Sequence, residues 1–252
     1  MSANGEGLGR VLTVALGLCL VCSIVVSTAA VLLKPAQQAN KTLDLKRNIL
    51  MAAGLLDPSR SVEEQFEQVE TRIVNLDAGQ FVEGVDPASF DQREAAKDPA
   101  QSRAIPNDED AAKLVRREDQ ALVYLVRTNG GELDKIILPI RGYGLWSTLY
   151  GFMALESDGN TIAGLGFYEH GETPGLGGEV DNPRWKSIWP GKLVYQGNEV
   201  AIEVLKGSVR AGSAQAQWQV DGLSGATLTT KGVDNLVKYW LGEQGFKPLL
   251  DN

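Results

Sequence analysis

The segment from Asp221 to Thr230 has the residue types needed to hold a phosphate group. Its glycines allow tight turns and close backbone approach. Its threonines place hydroxyls at the predicted start of a helix, where free N–H groups and the helix dipole favour an anion. The following lysine adds positive charge. The sequence therefore predicts a phosphate site, whose candidate residues are Ser224, Gly225, Ala226, Thr227, Thr230 and Lys231.

The same residues allow two other interpretations. A strand-to-helix turn with Thr229 as an ordinary N-cap is at least as compatible with the physical pattern. The run from Gly222 to Ala226 also approximates the G-x-S-x-G nucleophile elbow around Ser224, although Ala226 replaces the last glycine. A serine hydrolase of this kind would need His170 as its base.

A second segment, Tyr168 to Glu179, is too rich in glycine for a regular helix or strand, and it contains His170, the one histidine of the chain. Its glycines would let backbone amides approach a flat ligand, and its polar side chains could hydrogen-bond the ligand's edge. Trp185 and Trp189 follow closely and are predicted to pack near an aromatic ring system. A flexible surface loop is the alternative. The candidate ligand residues here are Glu172, Thr173, Gly175 and Leu176.

Composition excludes several kinds of site. The net charge of −8 and the pI of about 4.8 disfavour nucleic-acid binding. Cys19 and Cys22 are the two cysteines, and both lie in an apolar stretch near the N-terminus. The rest of the chain therefore has no thiolates for zinc or an iron–sulfur cluster, and one histidine is too few for a multi-histidine metal site. We expect no metal site, and we interpret the two cysteines as small apolar residues of a membrane helix.

The stretch from Val11 to Leu33 is uncharged and apolar. At 1.5 Å per residue it would extend about 34 Å, enough to cross a hydrocarbon core of about 30 Å. A cleaved signal peptide flanked by Arg10 is the alternative, but the apolar run is longer than a usual signal core. We expect a transmembrane helix over 11–33 behind a short tail, 1–10. More basic residues follow the helix than precede it, and by the positive-inside rule this would keep the large domain in the cytoplasm. The rule is weak for long domains, which can cross the membrane regardless of charge, so charge leaves the orientation open.

Residues 34–119 are predicted to form a helical stem and an irregular accessory region. Ser61 and Glu64 have the spacing of a capping box. The apolar side chains from Phe66 to Leu76 recur at helical spacing and predict a short amphipathic helix there.

Residues 120–252 have the pattern of a strand-rich domain. Short apolar runs are separated by turn sequences at 129–131 and 158–160, which is typical of antiparallel hairpins. One apolar face between Thr229 and Leu241 predicts a closing helix. The fold class is therefore α+β, an antiparallel strand-rich domain with flanking helices and one N-terminal transmembrane helix.

Four stretches carry a resemblance to a known family. The run Asp-Gly-Leu-Ser-Gly-Ala-Thr-Leu-Thr, from Asp221 to Thr229, resembles the flavinylation motif of proteins that hold FMN by a phosphoester bond to threonine. Together with His170 to Trp185, Gly144 to Phe152 and Gln37 to Lys46, it looks like the C subunit of sodium-translocating NADH:quinone oxidoreductases. The G subunit of Rnf-type electron-transport complexes is the related alternative.

The resemblance implies that Thr227 is the acceptor of covalent FMN, attached during maturation by a separate flavin transferase that uses FAD. Thr227 would then be a tether, and no residue of the chain would be catalytic. The residues expected around the flavin are Trp146, Glu172, Thr173, Leu176 and Lys231.

The resemblance also implies a place in a respiratory complex of the bacterial inner membrane. The protein would relay electrons between an iron–sulfur centre in the membrane and the FMN of a neighbouring protein, with the B, D, E and F subunits as partners. The whole complex would reduce ubiquinone with NADH and export sodium, and the flavin domain would face the periplasm. A membrane-anchored extracytoplasmic binding module is the alternative from a different class of function.

Overall fold

A computed structural model of the protein describes residues 7–128 and 130–252. Residues 1–6 of the predicted tail and Asn129 of the first predicted turn lie outside the described residues. The chain divides into a unit that ends at Asp44 and a compact unit from Leu45 to Asn252. The predicted boundary at residue 120 therefore lies inside one compact unit, where it marks a change of sequence pattern. The helices are α1 (Leu8–Ala52), α2 (Val62–Phe66), α3 (Gln92–Ala95), α4 (Pro183–Lys186), α5 (Thr227–Trp240) and α6 (Lys247–Leu250), with 3-10 turns at Pro87–Ser89, Gly177–Asp181 and Ala216–Trp218.

The first helix, α1, joins two predicted features in one continuous element of 45 residues. The apolar stretch from Val11 to Leu33 forms its first part, and the predicted helical stem forms its second part, with Pro35 inside the helix. Within the described residues α1 is the one helix that is long and apolar enough to cross a membrane, and no residue of its most apolar 18-residue window is buried. Apolar side chains along it are exposed, as a membrane helix requires.

The centre of the compact unit is a six-stranded antiparallel sheet in the described part of the chain, with the strand order β2-β1-β5-β6-β7-β8. The predicted hairpins are confirmed, because β5 pairs with β6 and β7 pairs with β8. The strands are β1 (Val69–Asn75), β2 (Gln80–Phe81), β3 (Ser102–Ala104), β4 (Arg116–Glu118), β5 (Gln120–Arg127), β6 (Leu133–Tyr143), β7 (Thr148–Glu156), β8 (Ile162–Glu169), β9 (Tyr195–Gln196), β10 (Glu199–Val200), β11 (Glu203–Val204) and β12 (Gln219–Val220).

One predicted element is wrong. The capping box at Ser61 is confirmed, since its hydroxyl accepts a hydrogen bond of 3.2 Å from the Glu64 amide, but the helix it begins ends at Phe66. The residues after it form β1, which pairs with β5 along its whole length. The β-branched residues of this stretch suit a strand, and the ladder with β5 outweighs an apolar spacing that also fits a helix.

Both faces of the sheet are covered, which explains why its central strands are apolar along nearly their whole length. On one face Tyr124, Ile137 and Phe152 pack with Ile49 and Leu50 from the end of α1. On the other face lies the larger core, to which α5 contributes an apolar side. The apolar residues of α5 buried in this core are Val233, Leu236, Val237 and Trp240. Burial of each such large side chain is worth about 1.5–3 kcal/mol, so α5 is firmly held against the sheet.

Candidate functional site

Three segments from distant parts of the sequence meet at the start of α5. The first is the Trp146 turn (residues 144–147), which connects β6 to β7. The second is the glycine loop (residues 170–178), which follows β8. The third is the motif loop (residues 221–226), which lies between β12 and α5. The sheet fixes the first two segments at its edge, and the core packing of α5 fixes the third.

The carboxylate of Glu172 connects two of these segments to α5. Its Oε1 accepts hydrogen bonds from the backbone amides of Leu145, Trp146 and Ser147, with lengths of 3.0, 2.9 and 3.2 Å. Its Oε2 accepts a hydrogen bond of 2.7 Å from the hydroxyl of Thr229 in the first turn of α5. Successive backbone amides that converge on one oxygen form an anion-binding nest.

The environment of Glu172 keeps it ionised. Only 5% of the residue is exposed, and this burial by itself raises the pKa of the carboxyl. The Thr229 hydroxyl and the amides of Trp146, Leu145 and Ser147 outweigh that effect and hold the pKa below its ordinary value of 4.5. A buried carboxylate with this many donors is a stable anion at neutral pH.

Glycines make the close approach of the three segments possible. A Cβ on Gly177 would lie 2.5 Å from Oγ1 of Thr229 and 2.6 Å from Oε2 of Glu172. A Cβ on Gly144 would lie 2.6 Å from Oε1 of Glu172, and one on Gly232 would collide with the carbonyl oxygen of Tyr143. A side chain at any of these three positions would collide with neighbouring atoms, so the close approach requires glycine.

Thr227 is the first residue of α5, and it is exposed. The preceding Ala226 is the N-cap, and its methyl side chain cannot accept the free amides of the first turn. Three exposed apolar side chains belong to the segments around Thr227: Trp146 is 66% exposed, Leu176 is 45% exposed and Leu228 is 61% exposed. Such a surface suits a ligand that carries both an anionic group and a flat apolar group.

The start of α5 differs from its prediction. The helix begins two residues before Thr229, so Thr229 is not an N-cap and instead donates its hydroxyl to Glu172. The hydroxyl of Thr230 accepts a hydrogen bond of 3.0 Å from the buried amide of Leu223, so this side chain holds the motif loop. Lys231 pairs with Asp234 at 3.0 Å, and its side chain remains 65% exposed.

Further contacts hold the motif loop in place. Trp185 Nε1 donates to the carbonyl of Asp221 at 2.8 Å, and the Asp221 carboxylate accepts from the Val209 amide at 2.7 Å. Gly225 has a φ of 74°, which favours glycine, and a Cβ at this position would lie 3.2 Å from Cδ2 of Leu176 in the glycine loop. Trp185 and Trp189, which could pack near an aromatic ring system, are both buried in the core.

The histidine is engaged within the glycine loop. The amide of Glu172 donates to Nδ1 of His170 at 3.2 Å. Nε2 lies within hydrogen-bonding distance of Asp181, at 2.8 Å. With both ring nitrogens engaged in this way, His170 is not the base that a nucleophilic Ser224 would need, and the hydrolase interpretation fails.

Comparison with known proteins bears directly on this site. A family model described as the FMN-binding domain matches residues 144–242. The C subunit of the Na(+)-translocating NADH-quinone reductase from Pseudomonas aeruginosa is 54% identical over an alignment of 255 positions, which covers 99% of this chain and 97% of that protein. The corresponding protein from Vibrio vulnificus is 49% identical, over 98% of this chain and 96% of its own.

The chain belongs to the family of C subunits of the Na(+)-translocating NADH-quinone reductase. Solved structures from this family agree with the fold. The crystal structure of NqrC from Shewanella oneidensis aligns with a TM-score of 0.78 and 37% identity, over 84% of this chain and 97% of that one. That of the C subunit from Parabacteroides distasonis aligns with a TM-score of 0.67 and 31% identity, over 87% of this chain and 98% of that one.

The FMN-binding match within this NqrC-family chain begins at Gly144 and includes all three segments of the site. Sequence reasoning did not find the Glu172–Thr229 pair, the role of Gly232 or the exposed Leu228. Gly232 offered a signal, because a glycine inside an amphipathic helix costs about 1 kcal/mol relative to alanine and so indicates close packing. The partner of Glu172 offered no local signal.

Proposed function

We propose that the protein is the flavin subunit of a Na(+)-translocating NADH-quinone reductase and carries FMN through a phosphoester bond to Thr227. The observation that carries this proposal is the setting of Thr227, an exposed hydroxyl at the first position of α5 within the FMN-binding match. Family membership supports the cofactor class, and the motif Asp221 to Thr229 supports the linkage.

The residues around Thr227 fit the parts of FMN. The uncapped first turn of α5 offers backbone amides and the positive end of the helix dipole to the phosphate. Trp146 and Leu176 offer exposed apolar surface to the flat ring. The other candidates are small residues of the glycine loop and the motif loop: Thr173, Gly175, Ser224, Gly225 and Ala226.

Lys231 lies one helical turn after Thr227 and adds positive charge near the phosphate. Its ion pair with Asp234 reduces that effect. We propose that Glu172 and Thr230 hold the loops, in place of the ligand role predicted from sequence, because both side chains already bond to protein atoms.

Thr227 is the acceptor in maturation. In the reaction that we propose, a flavin transferase catalyses attack of the threonine oxygen on the flavin-side phosphorus of FAD. One oxygen–phosphorus bond forms, the pyrophosphate bond breaks, AMP leaves and the hydroxyl proton is released. Because Thr227 is exposed, a second protein can reach it without unfolding the domain. No redox step occurs in this transfer, and Thr227 takes no part in later turnover except as a tether.

When bound, FMN supplies reversible electron transfer, and the chain supplies position and surroundings. We propose the B, D, E and F subunits as the assembly partners, with sodium export and ubiquinone reduction as properties of the whole complex. We also propose that residues 11–33 cross the inner membrane after a short tail (1–10), that residues 34–119 form the stem and accessory region, and that residues 120–252 hold the flavin. In this proposal the flavin domain faces the periplasm.

Flavin fluorescence of the denatured polypeptide tests the proposal. The full chain, produced together with a flavin transferase, is denatured and separated from free flavin, and we expect the fluorescence to stay with it. A Thr227→Ala variant should lose the signal, whereas Ser224→Ala should retain most of it. Absence of flavin from the wild-type chain would contradict the proposal and would favour a binding module. Loss in the serine variant alone would show that the acceptor is misassigned.

A further inference from the structure

The buried carboxylate of Glu172 is engaged by protein donors at both of its oxygens. A carboxylate presents about four lone-pair sites, and this one receives three amide hydrogens and one hydroxyl hydrogen. Its bonds connect the Trp146 turn to the first turn of α5. The main chain of Glu172 is also fixed, because its amide donates to His170.

We propose that Glu172 is a positioning residue that holds Trp146 beside Thr227. The inference rests on the function proposed above, since it concerns the surface that receives the flavin. Trp146 is 66% exposed, so packing against the domain does little to orient its ring. The turn that carries Trp146 is instead fixed by its backbone, through three consecutive amides bonded to one oxygen of Glu172.

Thr229 links the position of the Trp146 turn to that of the acceptor, Thr227. It lies two residues after Thr227 in the same helical turn, and its buried hydroxyl bonds the other oxygen of Glu172. A break in this bond would let the Trp146 turn shift relative to the helix start while each remains folded. The expected defect is therefore in the relative placement of Trp146 and Thr227.

A pair of variants at position 229 isolates this role. Thr229→Val keeps the shape of the side chain and removes the donor, whereas Thr229→Ser keeps the donor. Glu118→Gln is the control for loss of a buried carboxylate elsewhere, because Glu118 is fully buried and bonds Arg141 and Gln92 outside the three segments. All proteins are compared at a temperature where circular dichroism shows each to be folded.

Two quantities are measured on the full chain: the initial rate of covalent flavin incorporation with transferase and FAD, and the visible circular dichroism of the attached flavin. We expect Thr229→Val to lower the rate about tenfold, the factor that corresponds to about 1.4 kcal/mol, and to change the dichroism. Thr229→Ser should restore both. Glu118→Gln should leave both at the wild-type values.

The outcomes separate the two proposals. If the wild-type chain gains no covalent flavin, or if Thr227→Ala keeps it, the proposed function fails. If the wild-type chain is loaded and Thr229→Val matches it in rate and dichroism, the positioning role of Glu172 fails alone. An equal loss in Glu118→Gln, or no recovery in Thr229→Ser, would also overturn the positioning role, because the effect would then reflect general destabilisation.

Discussion

The hydroxyl of Thr229 donates a hydrogen bond of 2.7 Å to Glu172, which lies 57 positions earlier in the chain. The bond is buried, and it joins the first turn of α5 to the glycine loop. A hydrogen bond to a charged group contributes about 1.5–3 kcal/mol. Loss of the pair is therefore expected to reduce the stability of the fold as well as to change the shape of the site.

The contact between Gly177 and this pair predicts a specific cost. In Gly177→Ala the new methyl group would lie within 2.6 Å of both Thr229 Oγ1 and Glu172 Oε2, so the bond must lengthen or the loop must move. We expect the free energy of unfolding to fall by about 1–3 kcal/mol, measured by urea denaturation. Gly207→Ala is the matched control, because no atom beyond its two chain neighbours lies within 4 Å of its new methyl group. Equal stabilities of the two variants would contradict the contact.

The pKa of Glu172 predicts how stability depends on acid. Because its pKa is lowered below 4.5 in the folded protein, the ionised carboxylate stabilises the fold above that pH. This stabilisation is lost as pH falls below 4.5 and through the folded value. Glu172→Gln cannot titrate, so the stability difference between wild type and variant should shrink as pH falls. Urea unfolding above and below pH 4.5 measures it, and a difference that stays constant would contradict the lowered pKa.

Two tyrosines predict opposite effects of removing a hydroxyl. The hydroxyl of Tyr239 is buried and has no hydrogen-bond partner in the described part of the chain, and burial raises its pKa to about 12. Tyr239→Phe should leave the free energy of unfolding unchanged or raise it by about 1 kcal/mol. Tyr195→Phe should lower it by about 1 kcal/mol, because that hydroxyl donates to the carbonyl of Leu241 at 2.8 Å. Thermal unfolding of both variants decides, and a destabilised Tyr239→Phe would refute the first expectation.

Local sequence patterns predicted the parts of the fold that depend on neighbours in the chain. The hairpin strands from residue 120, the apolar face of α5 and the Ser61 cap are all visible in short windows of sequence. The strand β1 was missed because its pairing with β5 joins residues about 50 positions apart, and no local rule reports such a ladder.

In the candidate site, too, local sequence patterns indicated some features, and the others depend on tertiary structure. Glycine and threonine content indicated the loops, and Trp146 is exposed as a ligand-facing residue requires. The sequence offered Thr229 as an N-cap and Glu172 as a ligand, because each type commonly has that role. Their mutual bond depends on the fold bringing β8 and α5 together, so only tertiary structure reveals it.

Membrane orientation is testable without the rest of the complex. We propose a periplasmic flavin domain, although basic residues such as Lys34 and Lys41 after the apolar stretch would by a simple charge rule keep that domain in the cytoplasm. In intact spheroplasts, externally added protease should digest the region from Leu45 to Asn252. A cytoplasmic protein serves as the control for intact cells. Resistance of that region in intact spheroplasts, with digestion after lysis, would place it in the cytoplasm.

Mass spectrometry of the proteolytic peptide that contains Thr227 tests the covalent linkage most directly. The full chain is matured with a flavin transferase and FAD, digested, and its peptides are fragmented. We predict a peptide heavier by FMN minus one water, with the fragment series placing the added mass on Thr227 and with the unmodified mass in Thr227→Ala. An unmodified peptide from the matured wild-type chain, or added mass on Ser224 or Thr229, would contradict the assignment of Thr227 as the acceptor.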